Sequence, residues 1–169
     1  LGGGWLGALG SHIIDAMRWQ MDSEIVDCGG VLRTEIASRK DAGGIDRACT
    51  AEDAFSVWLR LANGATATLD VTSSAPVTLP QRTQFLGTEG AIEVADDKIV
   101  TLMKPGAEPE VFDFTPGAGA PAWPALHDWI GVVRHALEVR TAISPDFDDG
   151  VACAEVMDKL RAESGKEAA

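Results

Sequence analysis

The residues of this chain that could do chemistry concentrate near its start. Ala8, His12 and Asp15 are spaced by four and three, so a helix places all three on one face. A histidine titrates near neutrality and can take a proton from a hydroxyl, and a carboxylate on the same face can fix its tautomer. The same spacing equally describes a structural hydrogen bond. The glycines ahead of the helix leave room for a ligand near His12. Gly2-x-Gly4-x-x-Gly7 carries the letters of the dinucleotide fingerprint, with Asp22 where its ribose-binding acid would stand. That fingerprint needs a buried strand before the glycines and a parallel strand after the helix. Only Leu1 precedes it here, and hairpins follow, so the glycines read as a flexible helix entry. No NAD(P) binding of useful affinity is expected of this chain alone.

The remaining candidates are weaker. His127 and Asp128 are sequence neighbours that diverge on a helix, and His135 lies two turns further on. That spacing suits solvated or interface positions better than a metal chelate. In Gly10-Ser11-His12 the serine and histidine side chains diverge, which excludes a catalytic dyad, and no GxSxG pattern is present. Glu52-Asp53 precedes a strand, where alternation sends the two carboxylates to opposite faces. Cys28, Cys49 and Cys153 are odd in number and show no CxxC spacing, so they read as buried free thiols of a reducing cytoplasm. No metal is expected.

The elements that position these residues follow from composition and period. The chain has 169 residues, enough for one domain, and 14 basic against 26 acidic side chains give a net charge of −12. Such a surface repels nucleic-acid phosphates and anionic lipid. No apolar run is long enough to span a membrane, and no basic start leads into an apolar signal segment. Opening on Leu1 without a methionine, the chain reads as part of a larger protein.

Apolar steps of three and four predict a helix over 6–21, with Leu6, Leu9, Ile13 and Met17 on one stripe. Strands are expected at 25–28 and 31–36, joined by a bulge at Gly29-Gly30, and 39–47 reads as a loop. Residues 55–61 alternate cleanly, and Asn63-Gly64 predicts a type I′ turn into a partner at 65–71. Further strands are expected at 82–86, 91–94 and 98–103, with an edge strand at 110–114 and a linker at 117–121. Two helices close the chain, 123–139 with a stripe of Leu126, Ile130, Val133 and Leu137, and 148–164 with Val151, Ala154, Met157 or Val156, and Leu160. Short connections forbid parallel crossovers. The fold class is therefore α+β, an open, mostly antiparallel sheet with helices on one face, and 1–169 read as a single domain.

The segment Gly2-Gly3-Gly4-Trp5-Leu6-Gly7-Ala8-Leu9-Gly10-Ser11-His12-Ile13-Ile14-Asp15 resembles the pattern GGGxLxDxGxHxxD of the glucose–fructose oxidoreductase and inositol dehydrogenase family, Gfo/Idh/MocA. Glu52-Asp53, Asn63-Gly64, Phe85-Leu86-Gly87-Thr88-Glu89-Gly90-Ala91-Ile92 and Phe147-Asp148-Asp149-Gly150 follow in the family's order. The resemblance covers nearly the whole chain and is to the family's C-terminal domain, an open antiparallel sheet that carries substrate residues and often the oligomer interface. It implies a separate N-terminal Rossmann domain, holding NAD or NADP and a catalytic lysine, that this chain lacks. His12 falls on the family's catalytic histidine, which takes the hydroxyl proton as hydride leaves the same carbon. The family's aspartate falls on Ala8 and is missing, which puts standard alcohol oxidation in doubt.

The resemblance thus implies the substrate-binding and oligomerisation domain of a cytoplasmic, nicotinamide-dependent oxidoreductase. Its substrate would be a small sugar, polyol or related hydroxyl compound, with His12 as base and Asp15 and Ala8 beside it. The alternatives are a non-catalytic binding or assembly module, or a relative that uses NAD for elimination or glycoside cleavage. A homo-oligomer is expected through the sheet face opposite the aliphatic row, where Trp58 stands.

Overall fold

The computed structural model describes residues 3–117 and 124–164. A π-helical turn, Leu6–Gly10, opens helix α1 (Ser11–Met21). Nine strands follow: β1 (Ile25–Arg33), β2 (Ser38–Lys40), β3 (Asp46–Ala48), β4 (Ala54–Leu61), β5 (Thr66–Thr72), β6 (Arg82–Gly87), β7 (Gly90–Ala95), β8 (Ile99–Met103) and β9 (Glu110–Asp113). Helices α2 (Pro124–Val139) and α3 (Phe147–Ser164) close the chain. Every strand pairing among the described residues is antiparallel, as the α+β reading requires.

The strands divide among three sheets rather than one: β1-β4-β5, the ribbon β2-β3, and the meander β6-β7-β8-β9. The break after β5 falls where Pro76 and Pro80 remove backbone donors from any continuing ladder. The chain forms two compact units, Leu1–Pro76 with Ile143–Ala169, and Val77–Ala142.

In the first unit, β4 alternates as expected. Phe55, Val57, Leu59 and Leu61 are buried, while Trp58 and Arg60 face out. Phe55, Val57 and Leu59 of this row pack against Leu6, Ile14, Cys28, Cys153, Val156 and Leu160, so α1 and α3 cover one face of the sheet. Each large side chain buried this way stabilises the fold by about 1.5–3 kcal/mol. The covered stripes differ from expectation. On the first helix they are Leu6, Gly10, Ile14 and Met17, because the π-turn inserts an extra residue into the period. On α3 they are Cys153, Val156 and Leu160, and Val151 is 56% exposed.

β1 is one continuous strand whose irregularity lies at Ile25/Asp27, not at Gly29-Gly30. Those glycines serve close approach. The Trp58 ring lies where a Gly29 side chain would be, and a Gly30 side chain would collide with the Ser56 carbonyl. The free edge of β1 is capped: Leu32 N–H donates to Ser164 Oγ at 3.1 Å and Cys28 N–H to Asp27 Oδ1 at 3.1 Å.

The β4–β5 turn is also of another type. Only Gly64 has a positive φ, +90°, and its N–H donates to Leu61 O at 3.1 Å, giving a type I turn closed by a left-handed glycine. The type I′ geometry occurs instead at Asp96 and Asp97, both with positive φ. The polar stretch read as a loop holds β2 and β3, whose charged, exposed residues give no apolar alternation to detect.

In the second unit the meander keeps the expected order, and β9 ends at Asp113 with Phe114 beyond it. Leu126, Ile130 and Leu137 of α2 are 54%, 57% and 75% exposed, against their expected burial, and Ala136 is the buried position. Of the expected linker at 117–121 only Gly117 lies within the described residues; 118–121, and the expected helix start at residue 123, lie outside them.

Candidate functional site

The glycine-rich entry is built by three backbone anchors. Trp5 N–H donates to Glu52 O at 2.7 Å, and Gly3 O accepts from Gly7 N–H at 2.9 Å and from Arg161 at 3.1 Å. Gly4 takes φ +61°, and the Glu52 carboxyl group fills the space its side chain would need. The left-handed φ favours glycine there. The π-turn is closed by Ser11 N–H donating to Leu6 O, and Ser11 Oγ–H donates to Gly7 O at 2.9 Å. Ser11 is thus committed to the backbone. Gly10 is buried where a Cβ would lie 2.8 Å from Leu6 Cδ1.

Out of this entry Ala8 and His12 emerge exposed. No hydrogen bond or ion pair joins His12 to another described residue. Asp15 does not turn toward the imidazole. Its Oδ1 lies 3.4 Å from Arg18 and accepts from the Cys153 thiol at 3.8 Å. Helical spacing put His12 and Asp15 on one face, but the arginine one turn further draws the carboxylate toward α3.

Arg18 is the hub on that side. Its side chain is only 10% exposed, and it donates to Glu24 through Nε at 2.7 Å and Nη2 at 2.8 Å. It also reaches Asp149 Oδ1 at 3.3 Å and Asp149 O at 3.4 Å. The hydrogen bond from Arg18 holds the Glu24 carboxyl below its usual range. Asp149 is lowered mainly by the Asp146 N–H, with Ser144 and Arg18 adding to it. Burial pushes the Cys28 and Cys153 thiols up, away from the reactive thiolate. The sequence missed this hub, although Arg18 in the last turn of a helix was its visible trace.

Glu52 and Asp53 lie just before β4, outside the strand, and their carboxyl groups meet different partners. Asp53 is buried and accepts from Glu35 N–H at 2.8 Å and Ile36 N–H at 3.0 Å, which hold its carboxyl below the ordinary range. Glu52 Oε1 and Trp5 Nε1 are buried without a hydrogen-bond partner. His127, Asp128 and His135 are exposed along α2. Among the described residues, no three His, Cys, Asp or Glu side chains gather into a metal-holding group.

The glycine turn does not fit a dinucleotide phosphate. A carboxylate, Glu52, occupies the space against Gly4, and every described strand pair is antiparallel, so the described residues form no βαβ unit. Among the described residues no helix is long and apolar enough to cross a membrane.

What the fold defines is an α+β domain of antiparallel sheets, with His12 exposed on its first helix. A family profile described as the GFO/IDH/MocA C-terminal domain matches residues 1–93, and the chain belongs to that family. No curated protein matches it. Among solved structures, an oxidoreductase domain protein from Kribbella flavida is similar at TM-score 0.82 and 18% identity, over 98% of this chain and 49% of that one. Levoglucosan dehydrogenase in complex with NADH and L-sorbose is similar at TM-score 0.81 and 21% identity, over 98% and 50%. Aldose-aldose oxidoreductase from Caulobacter crescentus, complexed with glycerol, is similar at TM-score 0.73 and 20% identity, over 98% and 46%. The chain spans about half the length of these structures, and at such identities they establish the fold.

Proposed function

We propose that this chain is the substrate-binding and oligomerisation half of a cytoplasmic, NAD- or NADP-dependent oxidoreductase acting on a small sugar, polyol or related hydroxyl compound. The observation that carries the reading is the exposed, unpaired imidazole of His12 at the head of α1, in a chain of this family. An imidazole without a competing partner is available to accept a hydroxyl proton from a ligand laid along the Ala8–His12 face. Asp15 acts at one remove: it ties α1 to Arg18 and to Cys153 of α3, so it fixes the helix and not the tautomer. Because the residues here do not fit a dinucleotide, the cofactor would be held by an N-terminal half. This chain's part is then confined to binding substrate and moving its proton, and the two units serve as one functional half.

The full-length enzyme with His12→Ala tests the reading. A positioned base contributes roughly 10² or more to kcat, so that loss is expected with the fold intact. Wild-type turnover of a confirmed substrate by the variant would remove His12 from the chemistry. A sugar and polyol panel run with both nicotinamide cofactors identifies the substrate, and failure of every member favours the binding or assembly module.

A homo-oligomer through the outer face of β1-β4-β5 completes the proposal. Trp58 is 44% exposed there, flanked by Thr66, Thr68 and Arg60, a mixed face suited to a subunit contact.

A further inference from the structure

The ribbon β2-β3 takes no part in the site above, yet its two strands bring two arginines together. Asp41 N–H donates to Ile45 O at 2.9 Å and Cys49 N–H to Ala37 O at 2.9 Å. Between these rungs Arg39 stands directly opposite Arg47. Residues so paired leave the ribbon by the same face, with Cα atoms about 5.5 Å apart. Like charges directly opposite weaken a ladder. The two side chains are 56% and 68% exposed.

Their donors are largely unspent. Arg47 gives its Nε–H to Asp41 Oδ2 at 2.9 Å, which leaves both terminal nitrogens. Arg39 has Asp53 Oδ2 at 3.9 Å, an ion pair too long for a hydrogen bond. Both carboxylates are held by backbone: Asp41 Oδ1 accepts from Gly43 N–H at 2.9 Å and Ile45 N–H at 3.0 Å, and Asp53 from Glu35 and Ile36. Each carboxylate holds its arginine by one contact, which leaves both terminal nitrogens of Arg47 and the guanidinium donors of Arg39 without a hydrogen bond to another described residue. Lys40 and Asp46 pair with each other at 3.3 Å, one register step on and therefore on the other face.

We propose that Arg39 and Arg47 form a seat for an oxyanion, the phosphate or carboxylate group of a small molecule, held by both guanidinium forks at once. A planar fork matches two oxygens of such a group, and a bound anion removes the repulsion across the ribbon. The net charge of −12 disfavours anions over the surface as a whole, so saturable binding here is a local property. Asp41 and Asp53 together carry as much charge as the two arginines, so the seat relies on the free guanidinium donors and its affinity is expected to be weak.

The test is a titration of the full-length protein, reading the side-chain Nε–H signals of Arg39 and Arg47 by nuclear magnetic resonance. Inorganic phosphate and acetate are each added against sodium chloride at matched ionic strength. Both arginines are expected to shift together and saturate, with at least a tenfold loss of affinity in Arg39→Gln and in Arg47→Gln. Arg39→Lys keeps the charge without the fork and should fall between. Lys40→Gln, on the other face, should leave binding unchanged. Saturation by phosphate alone assigns a phosphate-bearing ligand, and saturation by both admits a carboxylate. The Gly43 amide signal reports whether the ribbon persists in each variant. If a glutamine variant loses the ribbon, the Arg39→Lys comparison decides. Drift identical to that in chloride, or saturation surviving both glutamine substitutions, would overturn the seat.

Discussion

Replacing Arg18 with methionine keeps most of the apolar stem and removes the charge that ties α1 to Glu24 and to α3. Deleting one partner of a fully buried ion pair costs about 3–5 kcal/mol. Arg18 is 10% exposed, but Glu24 is 63% exposed and contributes no more than a surface pair, about 0–1 kcal/mol. Asp149 at 26% and Asp15 at 41% are left partly covered, beside a buried thiol. The expected loss is therefore about 2–3 kcal/mol at pH 7, or roughly 10–20 °C in Tm for a unit of this size. Its pH dependence has a definite sign. The carboxyl groups of Glu24 and Asp149 titrate below their ordinary values when folded, Glu24 chiefly through Arg18 and Asp149 chiefly through the Asp146 N–H, so the part that depends on Arg18 is mainly that of Glu24. The stability they lend is complete above the unfolded carboxylate range, near pH 4, and is lost as the pH falls through the folded values. The gap between wild type and Arg18→Met should therefore be full at pH 7 and narrow as the pH falls below about 4. Urea denaturation followed by circular dichroism at several pH values measures it. A loss under about 0.5 kcal/mol at pH 7, or a gap that stays constant down to pH 2.5, would refute the account of Arg18 as a covered hub.

Three further outcomes are expected. Gly10→Ala places a methyl group 2.8 Å from Leu6 Cδ1 and 3.5 Å from the Phe55 ring, and should cost about 1–3 kcal/mol in the same denaturation assay; an unchanged midpoint would mean that the π-turn yields freely. Calorimetric titration of this chain with NAD or NADP should show no binding in the micromolar range, and a Kd at or below it would contradict the misfit of the Glu52-lined turn. Light scattering of the chain at micromolar concentration should give at least about twice 17.8 kDa, falling to the monomer in Trp58→Glu; a monomer in both would remove the sheet-face contact.

Much of the architecture was legible because burial repeats with a fixed period. The Phe55–Leu61 row shows the strand period, and the order of short connections dictates antiparallel pairing. What escaped was set by single residues whose partners are distant in sequence. Arg18 meets Asp149 of α3, and that contact, invisible to spacing, turned Asp15 away from His12. The π-turn shifted the buried stripe because one extra residue changes the phase of every later position. The β2-β3 ribbon was hidden because all its residues are exposed, and alternation is visible only where one face is apolar. At the β4–β5 turn, Asn63 keeps a negative φ and uses its side chain to accept from Ala65 N–H at 3.0 Å, so an Asn-Gly pair did not produce the mirror-image turn. The place of His12 near the head of the first helix was legible from the spacing. Its isolation from Asp15 was not.

The widened turn at the head of α1 has a consequence for chain length. From Leu6 to Ile14, both fully buried, the chain uses eight steps, one of them absorbed by the π-turn. Seven steps of an ordinary α-helix return to within about 20° of the same direction. A chain lacking Ala8 would heal into regular helix with Leu6 and Ile14 still facing the core, whereas an added residue would have no turn left to absorb it. Here the core asks for one residue fewer than the sequence supplies, and the surplus sits beside His12. That single deletion separates what the packing needs from what the surface above it was given.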